Sequence, residues 1–172
     1  MEQTIDRVFT EFSARKLEQL LSRIETCTAK LTDDQIWMRG VESQNAVGNL
    51  MLHLSGNVRQ WILSGVGGKP DVRVRDREFA ARGDISREDL WERLSSTVKE
   101  AVSLIEGLPA GRLLEQVKIQ NYEVTVLEAV YHVVEHFAQH TAQIIFATKA
   151  LTGEDMGFYK HLTKAAHAEQ TP

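Results

Sequence analysis

The sequence predicts an all-α protein, a four-helix bundle with crossover loops, forming one domain over residues 1–172. Three observations predict it. Four long segments repeat apolar residues at three- and four-residue intervals. Pairs of a hydroxyl with an amide or acid three residues later stand where helices should begin. The alternation expected of strands is confined to one short stretch. A chain of 172 residues with 42% hydrophobic content can bury roughly 70% of its unfolded surface, so the fold needs no disulfide or structural metal.

The first helix follows from Ile5, Phe9, Phe12, Leu17, Leu20, Ile24, Cys27 and Leu31, which mark one inward face. Cys27 falls on that face and reads as a packed thiol. Thr32 and Gln35 have the form of a capping box, starting a short helical turn through Trp37 that ends near Gly40. From Asn45 a second long helix carries Ala46, Leu50, His53, Asn57 and Trp61 on one stripe until Gly65, Gly67, Gly68 and Pro70 stop it. Residues 69–84 are charged and aperiodic and read as a crossover loop. Ser86 with Asp89 caps a third helix with inner face Leu90, Leu94, Val98, Ala101 and Ile105, ended by Gly107 and Pro109. The stretch EQVKIQNYEV reads as a small hairpin about Asn121 or as a bare loop. Thr125 with Glu128 makes another capping box, opening a fourth helix from about Val126 to Leu151, before Gly153.

Charge and cysteine content narrow the function classes. The net charge is −4, with acids and bases well mixed, which disfavours nucleic acid as a partner. The densest basic stretch, Lys69, Arg73, Arg75, Arg77 and Arg82, is broken by Asp71, Asp76, Glu78 and Asp84 and reads as a solvated loop. No run of 18 apolar residues exists, so no membrane span is expected. The acids Glu2 and Asp6 argue against a secretory signal. A single cysteine fits a reducing cytoplasm.

The chemistry lies in the histidines. HVVEHFAQH sets His132, His136 and His140 four residues apart, so neighbouring members project from one helix face a turn apart. Val133, Phe137, Ile144 and Leu151 pull that side of the helix inward. Clustered imidazoles there repel when charged and lack partners when neutral, and a divalent metal resolves both problems. Spacing alone does not separate His132 with His136 from His136 with His140. The third donor is His53, the only histidine on another long helix. Glu135 points away and reads as a surface acid. Three neutral imidazoles leave a position open for water or substrate. Nitrogen donors without thiolate suit zinc, nickel, copper or iron, with zinc or nickel favoured.

NAVGNLMLHLSGNVRQWI and HVVEHFAQHTAQI together resemble the DinB/YfiT-like superfamily of metal-dependent four-helix bundles. HTAQI is close to the usual HxGQI ending, with Ala142 where glycine is common. A charged RDREF stretch at 75–79 and the FYKHL tail at 158–162 are most similar to a subgroup of unknown function. The resemblance implies a metal held by His53, His136 and His140, leaving His132 for proton shuttling, for orienting a ligand, or for a plain structural role. It also implies homodimers and activities that include transfer to low-molecular-weight bacterial thiols and metal-dependent hydrolysis.

The expected function is therefore binding of one divalent ion by an enzyme that activates a thiol or water, acting on a small-molecule substrate. The alternative is a non-catalytic metal-binding, structural or sensor module. Asn57, one turn beyond His53, is a candidate for orienting a ligand or water, its plainer alternative being an amide satisfied by backbone. Arg75, Asp76, Arg77 and Glu78 are candidates for recognising an anionic substrate, with plain loop solvation favoured. His161 and His167 in the tail are not expected to bind metal, and metal binding should fade as pH falls through about 6 to 7.

Overall fold

Four long helices form where the apolar stripes run, in a computed structural model that describes residues 4–163. His167 and the end of the expected tail lie outside the described residues. Helix α1 (Ile5–Thr28) starts at Thr4, whose hydroxyl accepts from the Arg7 N–H at 3.3 Å. Its buried face is Thr10, Ser13, Ala14, Leu17, Leu20, Leu21, Ile24, Cys27 and Thr28. Ile5 and Phe12, expected on that face, are instead 85% and 44% exposed. Small side chains at 10, 13 and 14 carry the inward stripe there, and Phe12 lies about 100° around the helix from Ser13. Cys27 is fully buried, and burial pushes its thiol pKa up, as suits a core residue.

Helix α2 (Asp33–Trp37) has its capping box closed by Thr32 and Gln35 and stops at Trp37, short of Gly40. Helix α3 (Val47–Val58) is buried on every side. It runs on into a π-helical stretch, Arg59–Val66, whose wide turns end with the Gly67 N–H donating to Ile62 O at 2.8 Å. Regular helical periodicity gave no sign of this widening. The apolar positions Ala46, Leu50 and Trp61 are buried as the stripe requires.

The segment expected as a crossover loop contains helix α4 (Arg75–Ala80), which packs on α3. Two of its charged residues are not solvated: Arg73 and Glu78 have side chains only 4% and 6% exposed. Arg75, Asp76 and Arg77 are exposed, as a solvated segment requires. Helix α5 (Arg87–Glu106) is capped by Ser86, which accepts from the Asp89 N–H at 3.1 Å, and its five expected inner residues are all buried.

The hairpin is present. Strands β1 (Gln116–Ile119) and β2 (Tyr122–Thr125) pair antiparallel with Gln116 opposite Thr125, and Gln120 takes φ of 57° in the two-residue turn. Helix α6 (Val126–Thr152) opens with the Thr125–Glu128 capping box and closes at Gly153, whose φ of 71° suits a residue without a side chain. Helices α1 and α3 each pack against both α5 and α6. The core fills the centre of this arrangement, with Leu17, Ile24, Met51, Leu54, Leu94, Ile105 and Phe137 among its most deeply buried side chains. Among the described residues, no helix is long and apolar enough to cross a membrane.

Candidate metal centre

His53 comes from the middle of α3, and His136 and His140 from successive turns of α6. Because α3 packs on α6, three imidazoles from distant parts of the chain share one place, with ligand atoms all within 4.8 Å of one another. His53 Nε2 faces His136 Nε2 at 2.9 Å. The rings of His136 and His140 meet edge to face at 4.5 Å between centroids, and those of His53 and His140 at 5.0 Å. His53 is buried, while His136 and His140 are partly exposed.

Each ring has a different outer contact. His53 Nδ1 lies 3.0 Å from Glu78 Oε2 and 3.1 Å from Arg73 Nη2. His140 Nδ1 lies 2.8 Å from Gln143 Oε1, one turn further along α6, which leaves Nε2 to face inward. His132 is outside the cluster of three. Its ring stacks on Trp61 at 4.0 Å and on His136 at 5.5 Å.

Burial governs the protonation of these rings. It holds His136 down to about 3 from an ordinary 6.5, with the neighbouring charges of His140, His53, His132 and Arg73 adding to the shift. Burial also lowers His140, against the opposing Gln143 hydrogen bond, and lowers His132, against the charge of Glu135. For Glu78 burial acts upward, but hydrogen bonds from Arg73 and His53 outweigh it and hold the carboxyl below its usual 4.5. Burial therefore favours the neutral rings of His136 and His140, whose lone pairs are then available to a cation. At these two rings proton competition moves below the window of pH 6 to 7 expected from free histidine.

The donor chemistry fits a divalent metal. Two Nε2 atoms at 2.9 Å need either a proton between them or a shared cation, and the third ring sits at the same place. Glu135 is exposed, as its position on α6 requires, and belongs to no such cluster among the described residues.

Beside the cluster opens a cleft of about 480 Å³. Trp61 and His132 form one wall, the hairpin residues Gln120, Tyr122 and Val124 another, and Arg75 stands on its lining. Asn57 lies in this lining, 4% exposed, and its Oδ1 has no hydrogen-bond partner among the described residues. The alternative of an amide satisfied by backbone does not hold for that oxygen. Arg75 places its guanidinium over the Phe79 ring at 4.7 Å, and Phe79 packs on His53 at 4.8 Å.

Sequence reasoning missed Arg73, Phe79 and Gln143, and it singled out Glu78 only as a candidate for recognising an anionic substrate, with loop solvation favoured, whereas its carboxylate is buried against Arg73 and His53. Gln143 was within reach, being three residues beyond His140 on the same helix face. Phe79 had a weaker signal, a lone aromatic in a run of charges. Nothing local marks Arg73 and Glu78 as buried, because residues of their type are nearly always exposed.

A family described as proteins of unknown function, DUF1572, matches residues 4–165. The chain belongs to that family, which lies within the DinB/YfiT-like clan. Two solved structures share the fold. A conserved protein from Enterococcus faecalis is 15% identical, with a TM-score of 0.73, over 89% of this chain and all of the other. A DinB-like protein, YjoA, from Bacillus subtilis is also 15% identical, with a TM-score of 0.61, over 84% of this chain and 97% of the other. None of the curated proteins matches the sequence.

Proposed function

We propose that this member of the DUF1572 family is a metal-dependent enzyme that binds one divalent ion, zinc or nickel, through His53, His136 and His140 and activates a thiol or water. The observation that carries the reading is the meeting of three imidazoles, with ligand atoms within 4.8 Å of one another, at the edge of a 480 Å³ cleft. A purely structural ion needs no adjoining space, whereas a cleft of this size suits a small-molecule substrate. A low-molecular-weight thiol is the co-substrate that the superfamily resemblance favours.

An ion bound there supplies Lewis acidity, which favours the deprotonated form of a thiol or water near neutral pH. The protein's own groups do the rest. His132 is kept neutral by burial and stands beside His136, so its free ring nitrogen can accept a proton from the substrate. Asn57 offers Oδ1 to a donor group on the substrate or on a water in the cleft. Trp61 and Tyr122, with ring centroids 6.2 Å apart, give an aromatic wall against which an apolar portion of substrate rests.

A homodimer is part of this reading. Ile5, Val8 and Phe12 on α1, and Tyr131 and Phe146 on α6, are exposed apolar side chains available for self-association. Buried Cys27, as a free thiol, suits a reducing, cytoplasmic location.

The test is elemental analysis of the purified chain, then titration of the cobalt form with a small thiol and with azide, and a screen of thiol-plus-electrophile and hydrolytic substrates. A sulfur-to-cobalt charge-transfer band and turnover that requires both metal and thiol are expected. A closed site that neither probe perturbs overturns the enzyme reading and leaves the non-catalytic metal-binding or sensor module.

A further inference from the structure

An imidazole that gives Nε2 to a cation must carry its proton on Nδ1. At His53 the two neighbours of Nδ1 make opposite demands. Guanidinium only donates, so Arg73 Nη2, at 3.1 Å, suits an unprotonated Nδ1 and a proton on Nε2. Carboxylate only accepts, so Glu78 Oε2, at 3.0 Å, suits a protonated Nδ1 and a free Nε2 lone pair.

The surroundings hold that carboxylate in place. Arg73 grips it with two parallel bonds, Nε to Oε1 at 2.8 Å and Nη2 to Oε2 at 2.9 Å. Arg73 Nη1 donates to Gln60 Oε1 at 2.9 Å, and Gln60 Nε2 donates to Asp71 Oδ2 at 2.7 Å. Buried Asn49 fixes the backbone from below, its Nδ2 donating to Glu78 O at 2.8 Å. Gly56, one turn beyond His53 and near Asn57, leaves the space: a Cβ there would come within 2.0 Å of Glu78 Oε1 and 2.9 Å of Arg73 Nε.

We infer that Glu78 is a positioning residue for the His53 donor, seated by Arg73 and by the bare backbone of Gly56, so that the segment 71–80 is a working part of the metal centre. The inference rests on reading His53, His136 and His140 as the ligand set. Glu78 sets the Nδ1–H form of His53, fixes its ring plane and strengthens Nε2 as a donor, while Arg73 balances a carboxylate that is almost wholly out of water.

The experiment is competitive zinc titration against a chromophoric chelator on the full chain, with NMR of histidine ¹⁵N-labelled, zinc-loaded protein. Glu78→Gln, Gly56→Ala and the double variant Arg73→Met/Glu78→Gln are compared with the parent. The double variant leaves no buried charge unpaired and carries the test if Glu78→Gln does not fold. Each should weaken zinc about 10- to 100-fold with the helical circular dichroism retained. The His53 Nδ1–H proton, far downfield in the parent, should move upfield in Glu78→Gln. Parental affinity and an unmoved His53 signal, even with a lowered melting temperature, would make Glu78 an anchor of the segment only and overturn the inference. Failure of the underlying ligand assignment shows separately, as equal zinc affinity in the parent and His136→Ala before any Glu78 variant is compared.

Discussion

His53 and His140 face the same small space, yet the protein supports them in contrasting ways. His53 sits in a helix buried on all sides, and its outer nitrogen meets a carboxylate and a guanidinium that are themselves buried. His140 is partly exposed, and its outer nitrogen meets Gln143, an exposed neighbour on the same helix. The outer nitrogen of one ring is held by segments that converge in space, that of the other by helical spacing. A charge-assisted contact out of water constrains a ring strongly, whereas a neutral contact at the surface can be replaced by solvent. The buried side should therefore dominate both metal affinity and its sensitivity to substitution.

The largest effect expected is loss of the proposed ligands themselves. His53→Ala, His136→Ala and His140→Ala should each weaken metal binding by about 100-fold or more, with His53→Ala the most severe, as measured by elemental analysis and competition titration. His161→Ala should leave binding unchanged. Full occupancy in purified His53→Ala would break the comparison outright.

Acid should come next. The folded value of about 3 for His136 lies below its ordinary 6.5, so between these limits the unfolded chain takes up the proton first. The stability contributed by keeping the ring neutral is then complete above about pH 6.5 and is lost as pH falls towards 3. The lowered values of His132 and His140 act in the same direction. Glu78, held below 4.5, adds its own loss only as pH falls below that value. The melting temperature of the metal-free protein should accordingly fall with pH over this range. A flat profile would mean the imidazoles are not desolvated as their packing implies.

Removing metal should have a moderate effect. With ion at about 100 times its dissociation constant, binding adds roughly 2.7 kcal/mol, so chelation should lower the melting temperature by about 5 to 10 °C. The helical spectrum at room temperature should persist, because the apolar core between the helices is held by its own packing and includes no atom of the ion's ligands. Collapse of helicity on chelation would make the ion structural.

The smallest effect sharpens the comparison most. Gln143→Ala should weaken zinc by no more than about threefold, since water can take the place of its carbonyl oxygen. A change as large as that for Glu78→Gln would show that burial is not what separates the two sides.

The difference between these sides also explains which features can be read from sequence. Capping boxes at Thr32 and Thr125, the stripes of α3, α5 and α6 and the spacing of His136 and His140 are local, each involving residues within a few positions of one another. Phe12 shows where locality misleads: apolar residues near the start of α1 repeat at plausible intervals, but the closer-packing Thr10, Ser13 and Ala14 take the inner face. Glu78 lies 25 residues from His53, and its charge type argues for solvent, whereas Gly56, Asn49 and Arg73 form a buried seat for it.

By itself the sequence determined the helical class, the limits of most helices and the alignment of histidines along α6, because helix periodicity and end chemistry are set over three or four residues. Only the tertiary structure decided that His53 meets that row, that His132 turns aside to stack on Trp61, and that Arg73 and Glu78 leave water to reach His53. Those outcomes depend on how α3, α4 and α6 pack. A buried charge is tolerated only where distant partners complete it, which no local pattern of residues records.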